Sequence, residues 1–600
     1  MKLFRSLLTL LIFLAPAALG QTDWTPPLPP LELWDGPSRD LVVGQDEPWI
    51  TPAERTGLVR TPSYDETIKW LQKLVAAAPQ LEMISIGKSA QGRDIWMVIA
   101  SADRAFTPEA LRSSRKPTVL AQGGIHSGEI DGKDAGMMLL RDMTVRGTKA
   151  DLLKRANLLF VPILSVDAHE RSGRYNRINQ RGPEEMGWRT NARNLNLNRD
   201  YAKLDTEEIQ AMVRTIVRWQ PDLYLDLHVT DGEDYQYDIT FGYNGRHAHS
   251  PAIARWLDQK FSPFVNAALT GMGHVPGPLV FGKDKLDFSK GIQGWTASPR
   301  FSNGYGDARH LPTVLLENHS LKPYDRRVLG TYVFLEAALM VAGEEAAALR
   351  RAITTDRSRD PAEFPLGWKA GAVPEIIDFA GIESRQMVSA VTGQTYLQWT
   401  GTPIDMKIPR FLYNEPSVAV ARPAAWWVPA QWSEVIDRLR VHGIELETIE
   451  ALREVEVEMY RLEDPEFEAE PFEGHIRATV TPVAITRTER FPAGSVRIDG
   501  GQPLADLAAL LLEPHSADSF VQWGFFHEIF SRTEYVEEYV MEPLASRMLE
   551  DPVVREAYYE KLRMDAAFRD DPKARLNWFY ERTPYFDERW RLYPVGRELQ

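Results

Sequence analysis

The sequence predicts an α/β fold: a mixed, mostly parallel sheet covered by helices on both faces, followed by a mixed α+β region. Two observations carry the first part. Strand-length apolar runs alternate with stretches of helical spacing from Tyr64 to Leu349, and such alternation gives a sheet helices on both of its faces. Pro117-Thr118-Val119-Leu120-Ala121 reads as one short buried strand within that series. A third observation sets the second part. Beyond residues 350–365 the texture changes to short apolar segments with many prolines and aromatics.

Taken in order, residues 1–20 read as a secretory leader. Lys2 and Arg5 precede an apolar run from Ser6 to Ala18, and Ala18-Leu19-Gly20 offers a small-x-small cleavage site. The run is shorter than the ~18–20 apolar residues of a membrane span, so the mature chain is expected to start near Gln21 and to leave the cytoplasm. Residues 21–60 hold Pro26, Pro27, Pro29, Pro30, Pro37, Pro48 and Pro52 and are expected to lie extended over the surface. Residues 61–350 are the expected main domain. Asp65 to Ala78 has helical spacing, with Ile68, Leu71, Leu74 and Val75 on one face. Leu81 to Gly87 and Ile95 to Ala100 read as strands joined around Gly92. Asp134 to Met143 reads as a helix, Asn157 to Leu164 as a strand and Thr206 to Trp219 as a helix. Asp222 to His228 and Pro312 to Glu317 read as strands, and Arg327 to Leu349 as one long helix.

Arg350-Arg351 and the polar run Thr354 to Pro361 mark the expected boundary, and residues 365–600 the second domain. Within it, Val455 to Arg461 and Ala478 to Ile485 read as strands, and Leu504 to Leu512 and Glu534 to Asp565 as helical. The acidic run Glu463 to Glu473 reads as a solvated loop.

Composition removes several function classes. The chain has 600 residues, 44% hydrophobic and 26% charged, which is ordinary for a globular protein of more than one domain. A net charge of −15 with no basic block argues against nucleic acid as a partner. No segment after the leader is apolar enough to span a bilayer. The absence of cysteine excludes disulfides, a cysteine nucleophile and thiolate metal sites. A secreted or periplasmic bacterial protein fits these features.

The chemistry concentrates in His126-Ser127-Gly128-Glu129 and in Asp226-Leu227-His228. Two imidazoles and one carboxylate are what a catalytic zinc takes from a protein, with a fourth position left open. Gly123 and Gly124 allow a sharp turn after the strand ending at Ala121, and the strand from Asp222 ends on His228. Strand ends are where open α/β sheets place their sites. Alone, the tetrapeptide is also what a surface histidine near a solvated glutamate presents.

Further motifs follow: Met186-Gly187-Trp188-Arg189, then Asn194-Leu195-Asn196-Leu197-Asn198-Arg199-Asp200-Tyr201, then Pro312-Thr313-Val314-Leu315-Leu316-Glu317. With Gly87-Lys88-Ser89-Ala90-Gln91-Gly92-Arg93 before them, and a single histidine 99 residues after Glu129, the chain resembles the zinc carboxypeptidase family, the metallopeptidases that include carboxypeptidase A. The resemblance covers roughly residues 60–345, and its motifs appear in the family's order. It implies that His126, Glu129 and His228 bind one Zn2+ per chain and that Glu317 is the general base. It also implies that Arg189 polarises the scissile carbonyl, and that Asn198 and Arg199 grip a substrate's terminal carboxylate. Tyr305 is the candidate for the family's mobile tyrosine, although its spacing of 12 residues to Glu317 is shorter than expected. The function so implied is an exported zinc metallocarboxypeptidase that hydrolyses C-terminal peptide bonds with a metal-activated water, on peptides with a free C-terminal carboxylate.

These residue types make chemical sense together. A carboxylate that does not bind the metal can take a proton from water and deliver it to the leaving amine. Arginine holds a carboxylate through two parallel hydrogen bonds. Asp226, two residues before His228 on a strand, shares its face and can orient the imidazole. A salt bridge is the other reading for Asp226, and pairing with Glu184, Glu185 or Asp200 is the other reading for Arg189 and Arg199. His319 is expected to make a structural hydrogen bond, His247 and His249 to lie in a solvated loop, and Trp426 and Trp427 to pack in a core. A second function within the same superfamily is an amidase or deacylase acting on peptidoglycan peptides or N-acyl amino acids. A catalytically silent binding protein is the alternative of another class.

Overall fold

The computed structural model describes residues 24–599; the leader expected over residues 1–20 lies outside them. Among the described residues, nine strands precede residue 320: β1 (Leu81–Lys88), β2 (Asp94–Ala100), β3 (Thr118–Gln122), β4 (Asn157–Val161), β5 (Leu223–Val229), β6 (Ile239–Gly242), β7 (Pro276–Pro278), β8 (Ile292–Gly294) and β9 (Thr313–Asn318). All but β8 form one sheet in the order β1-β2-β4-β3-β5-β9-β6-β7. Its centre, β4-β3-β5-β9, is parallel, while β1 and β2 run against their neighbours, and β6 runs against β9 but parallel to β7. Strands β3, β4 and β5 are buried at every position, as a parallel sheet covered on both faces requires.

Capping residues set the flanking helices where the sequence offers them. Ser63 accepts from the Glu66 backbone at the start of Tyr64–Ala77, with Glu66 returning the bond as a capping box. Thr206 caps Glu207–Trp219. The helix Asp131–Met143 is buried along its whole length and packs against Tyr324–Glu344.

The expected single helix Arg327 to Leu349 is two helices, Tyr324–Glu344 and Ala346–Arg357, separated at Glu345 (φ −103°, ψ 19°). The second carries through the expected boundary, and Arg350 donates to the carbonyls of Arg115 and Lys116. The arginine pair therefore belongs to a packed helix rather than a linker. The proline-rich segment is also more than a surface wrap. Pro52–Arg55 is a short helix, and Glu54 is buried against Arg141.

Ten more strands follow: β10 (Glu363–Lys369), β11 (Glu375–Val388), β12 (Thr395–Leu412), β13 (Glu415–Ala421), β14 (Ala425–Val428), β15 (Glu447–Thr448), β16 (Arg453–Phe467), β17 (Ala478–Phe491), β18 (Val496–Asp499) and β19 (Gly596–Glu598). β14 to β19 make a six-stranded sheet in the order β15-β18-β14-β19-β16-β17, and β10 pairs with β13. The acidic run is half strand, because β16 continues through it to Phe467. β11 and β12 form a long antiparallel arm whose last residues, Arg410 to Leu412, pair in parallel with β8.

Trp426 and Trp427 are buried, as expected. One hydrophobic core runs through both halves, joining Leu225 and Leu316 of the first sheet to Trp426, Leu507 and Tyr593. No helix among the described residues is long and apolar enough to cross a membrane.

Candidate metal centre

β3 ends at Gln122, and the chain turns through Gly123 and Gly124 into the loop that carries His126 and Glu129. Gly124 has φ +63°, a left-handed conformation that glycine adopts without strain. At Gly123 an added Cβ would meet the Pro162 carbonyl oxygen at 2.9 Å. The Glu129 N–H donates to the His126 carbonyl (2.9 Å), which closes a tight turn and brings both side chains to one side. β5 lies beside β3 and delivers His228 from its own end. Parallel register then places Glu317 of β9 opposite His228. Residues paired across a parallel ladder face the same side, and both line the same cleft.

His126, Glu129 and His228 are buried, and their ligating atoms lie within 4.8 Å of one another. His126 Nδ1 is 3.0 Å from Glu129 Oε1, and His228 Nδ1 is 2.9 Å from Glu129 Oε2. The outer nitrogens face acceptors: His126 Nε2 is 2.8 Å from Asn196 Oδ1, and His228 Nε2 is 2.8 Å from Asp226 Oδ2. A neutral imidazole whose Nε2–H is donated to an acceptor keeps a lone pair on Nδ1. Two carboxylates, Asp226 and Glu129, hold the His228 imidazole well above its ordinary value against burial, so the position between the Nδ1 atoms and Glu129 favours positive charge, whether a proton or a metal ion. Two neutral nitrogens and one carboxylate oxygen fit a zinc ion with a position left over. Glu317 Oε2, buried and without a hydrogen-bond partner, is a further polar atom that a ligand of this cleft would satisfy.

Electrostatics follow from burial and these contacts. Burial raises the Glu129 carboxyl, but His126 and Arg177 beside it outweigh that and hold it well below the usual carboxylate range. Burial lowers the His126 imidazole. In Glu317 burial dominates and pushes the carboxyl up, against the pull of His228.

Arg189 and Arg199 both line the cleft, and Arg189 stands beside the Glu129 carboxylate. Arg189 Nη1 is 3.3 Å from Glu129 Oε1 and 3.7 Å from Asp231, so it does not pair with Glu184 or Glu185. Asn198 accepts from the Ser302 backbone and approaches His228 at 3.5 Å. Arg199 donates to the Asn198 carbonyl (2.7 Å) and lies over the Phe301 ring at 4.4 Å. Asp200 pairs instead with Lys203. Arg189, Asn198 and Arg199 all line a cleft of about 570 Å3 with His126, Glu129, His228 and Glu317.

Tyr305 is not in this cleft. It lies in the helix Ser302–Ala308, fully buried, with its hydroxyl 3.1 Å from His442 Nδ1 and accepting from Arg309. The Ser302-Asn303-Gly304-Tyr305-Gly306 segment is helical, which turns the ring into the core. His249 is likewise not solvated: it is buried against Asp506 at 2.9 Å. His319 makes the structural contact expected of it, to the Tyr235 N–H.

Sequence reasoning missed Arg177, 3.0 Å from Glu129. It also missed Asn196, although the Asn-Leu alternation from Asn194 to Asn198 was the available signal. Glu473, which accepts from the Asn196 N–H at 2.7 Å, carries no signal near the motif.

The family model described as zinc carboxypeptidase matches residues 67–244, the segment that supplies His126, Glu129 and His228. The chain carries a zinc carboxypeptidase domain. Carboxypeptidase 2 of Trichophyton tonsurans is 23% identical over 485 residues, covering 77% of this chain and 84% of that protein. Carboxypeptidase 2 of Trichophyton rubrum is 24% identical over 482 residues, with the same coverage. Among solved structures, a metallo-carboxypeptidase from Pseudomonas aeruginosa is similar at 17% identity and a TM-score of 0.36, over 48% of this chain and 70% of that one. One from Burkholderia cenocepacia has 16% identity and a TM-score of 0.35, over 47% of this chain and 69% of that one. The carboxypeptidase domain makes the chain a zinc metallopeptidase of carboxypeptidase type.

Proposed function

We propose that the protein is an exported carboxypeptidase that removes the last residue of peptides, with His126, Glu129 and His228 as zinc ligands and Glu317 as general base. The observation that carries this reading is the convergence of two imidazole Nδ1 atoms on the Glu129 carboxylate. A second carboxylate, Glu317, stands beside it in register with His228. Export rests on the leader-like residues 1–20.

Zinc held there supplies Lewis acidity and brings a water's pKa down towards ~7. Glu317 Oε2 has no hydrogen-bond partner, which leaves it free to take a proton from a water in the cleft and pass it to the departing amine. Arg189 reaches into the cleft next to Glu129, where it can face the oxyanion that forms at the scissile carbonyl. One such donor is worth about 3 kcal/mol in related chemistries. Arg199, its guanidinium set by the Phe301 ring and the Asn198 carbonyl, has donors left for a bidentate grip on the substrate's terminal carboxylate. Asn198 lies beside it as the second polar contact. No role in this reaction falls to Tyr305.

Mass spectrometry of a mixed peptide library treated with the wild type and with Glu317→Gln tests the assignment. Wild type should shorten peptides by single C-terminal residues, and Glu317→Gln should keep its zinc while losing about 10²- to 10⁴-fold in turnover. Full activity in that variant would overturn the general-base role. A zinc-loaded wild type that leaves linear peptides intact but cuts muropeptides or N-acyl amino acids would replace the carboxypeptidase reading with the amidase one.

A further inference from the structure

Part of the cleft wall comes from outside the carboxypeptidase match over residues 67–244. Leu397 and Trp399, both on β12 of the arm, line the cleft that holds His126, Glu129 and Glu317. They are two residues apart on one strand, so both side chains leave the same face. Both are half-buried, while Tyr396 and Gln398 between and before them are exposed.

The arm is fixed, not merely near. β12 pairs with β8, and the Gln236 side chain donates to the carbonyls of Gly381 (3.0 Å) and Ile404 (3.1 Å). Further out, Gln386 donates to the Leu286 carbonyl (3.1 Å). Trp399 is supported from behind by the Phe288 ring at 5.7 Å, which in turn stacks on Phe379. Those rings belong to a small core of their own with Tyr235, Tyr237, Ile292 and Ile408. The indole therefore has a packed back and a front turned to the cleft. The same cleft is also lined by Leu279, Val280, Phe281 and Trp295. An apolar wall held in one position, in a cleft with further apolar side chains and a few charged groups, is how a pocket selects a side chain by shape.

We propose that Trp399, with Leu397 beside it, is a specificity-determining wall that receives a large apolar or aromatic side chain within the last two residues of the peptide. The arm beyond the catalytic sheet is thus part of the substrate site. This rests on the carboxypeptidase reading above.

The test uses the full chain with its zinc content measured, and peptides that differ only in Phe, Leu or Gly at the last or the penultimate position. Trp399→Ala should lower kcat/KM about 10- to 100-fold on the Phe and Leu peptides, mainly through KM, and less than about 2-fold on the Gly peptides. Trp399→Phe should recover most of the loss. Leu397→Ser, which leaves the small aromatic core intact, should show the same pattern more weakly, so a folding failure of Trp399→Ala cannot imitate the result. An equal fall on all peptides, or no change on any, would overturn the proposal. A zinc-loaded wild type that cuts none of the peptides would instead overturn the carboxypeptidase reading, and the wall's role with it.

Discussion

Each imidazole of the centre is oriented by the atom behind it, and those atoms are themselves held. Asp226 Oδ2 accepts from His228 Nε2, Oδ1 accepts from Gln122 Nε2 at 2.9 Å, and the Ser302 hydroxyl donates to Oδ2 as well. A carboxylate here can only accept, so the His228 proton stays on Nε2 and the lone pair on Nδ1. Asp226→Asn can present an N–H to Nε2 instead, which would move the proton to Nδ1 and take the lone pair from the metal side. We expect zinc affinity to fall about 10- to 100-fold, read by competition with a chromophoric chelator; unchanged affinity would refute the role. The proposed ligands were legible in the sequence because each sits at or just past the end of an apolar strand run, a position that survives without knowing the fold. Arg177 and Glu473 were not, because they reach the site through loops whose course depends on distant packing. Tyr305 misled because its small, glycine-flanked segment reads as a loop, while the buried helix it forms turns the ring to His442.

The helix Asp131–Met143 couples the His126 loop to the sheet, and its fit to the sheet rests on two glycines. A Cβ on Gly132 would meet Leu227 at 2.6 Å, and one on Gly136 would meet the Phe160 ring at 2.2 Å. Alanine at Gly136 gains about 1 kcal/mol of helix propensity, but it forces a buried ring or the helix itself to move. Overpacking of that kind costs about 1–3 kcal/mol, so the collision wins or at least cancels the gain. Gly136→Ala should therefore lower the melting temperature measured by calorimetry on the zinc-loaded protein; a higher one would show that Phe160 has room to turn. The strands beside this helix were readable because most positions of β3, β4 and β5 are apolar. The arm was not. β11 and β12 are exposed over much of both faces, which erases the period-two signal, and Pro403 and Pro409 lie within β12. A proline argues against a strand from sequence alone. Pro465 in β16 hid the far end of that strand in the same way.

At the scale of the molecule, the second half is welded to the first by buried charge as well as by the shared core. Asp506, in the helix Ala505–Leu512, faces His249 at 2.9 Å and His310 at 3.4 Å. Asp307 and Arg359 are the other charged groups around His249. Burial raises the Asp506 carboxyl, but hydrogen bonds from His249 and His310 outweigh it and hold the group far below its ordinary value. Burial lowers the His249 imidazole, and Asp506 outweighs that and holds it above its ordinary value. A depressed carboxyl adds stability above its unfolded pKa of ~3.9 and loses it as acid protonates the folded state. A raised imidazole adds stability below its unfolded pKa of ~6.5 and loses it as the pH rises through the folded value. The joint is therefore at full strength between about pH 4 and 6.5 and weakens on the alkaline side. Asp506→Asn leaves a buried imidazole without its anion, a loss of about 3–5 kcal/mol for a broken buried pair. The wild-type melting temperature, measured at saturating zinc, should fall from pH 6 to pH 9. The variant should start lower and lose less over that range, because it no longer has the raised imidazole to discharge. Parallel profiles for the two proteins would show that the halves are held together without this pair, by the apolar core alone.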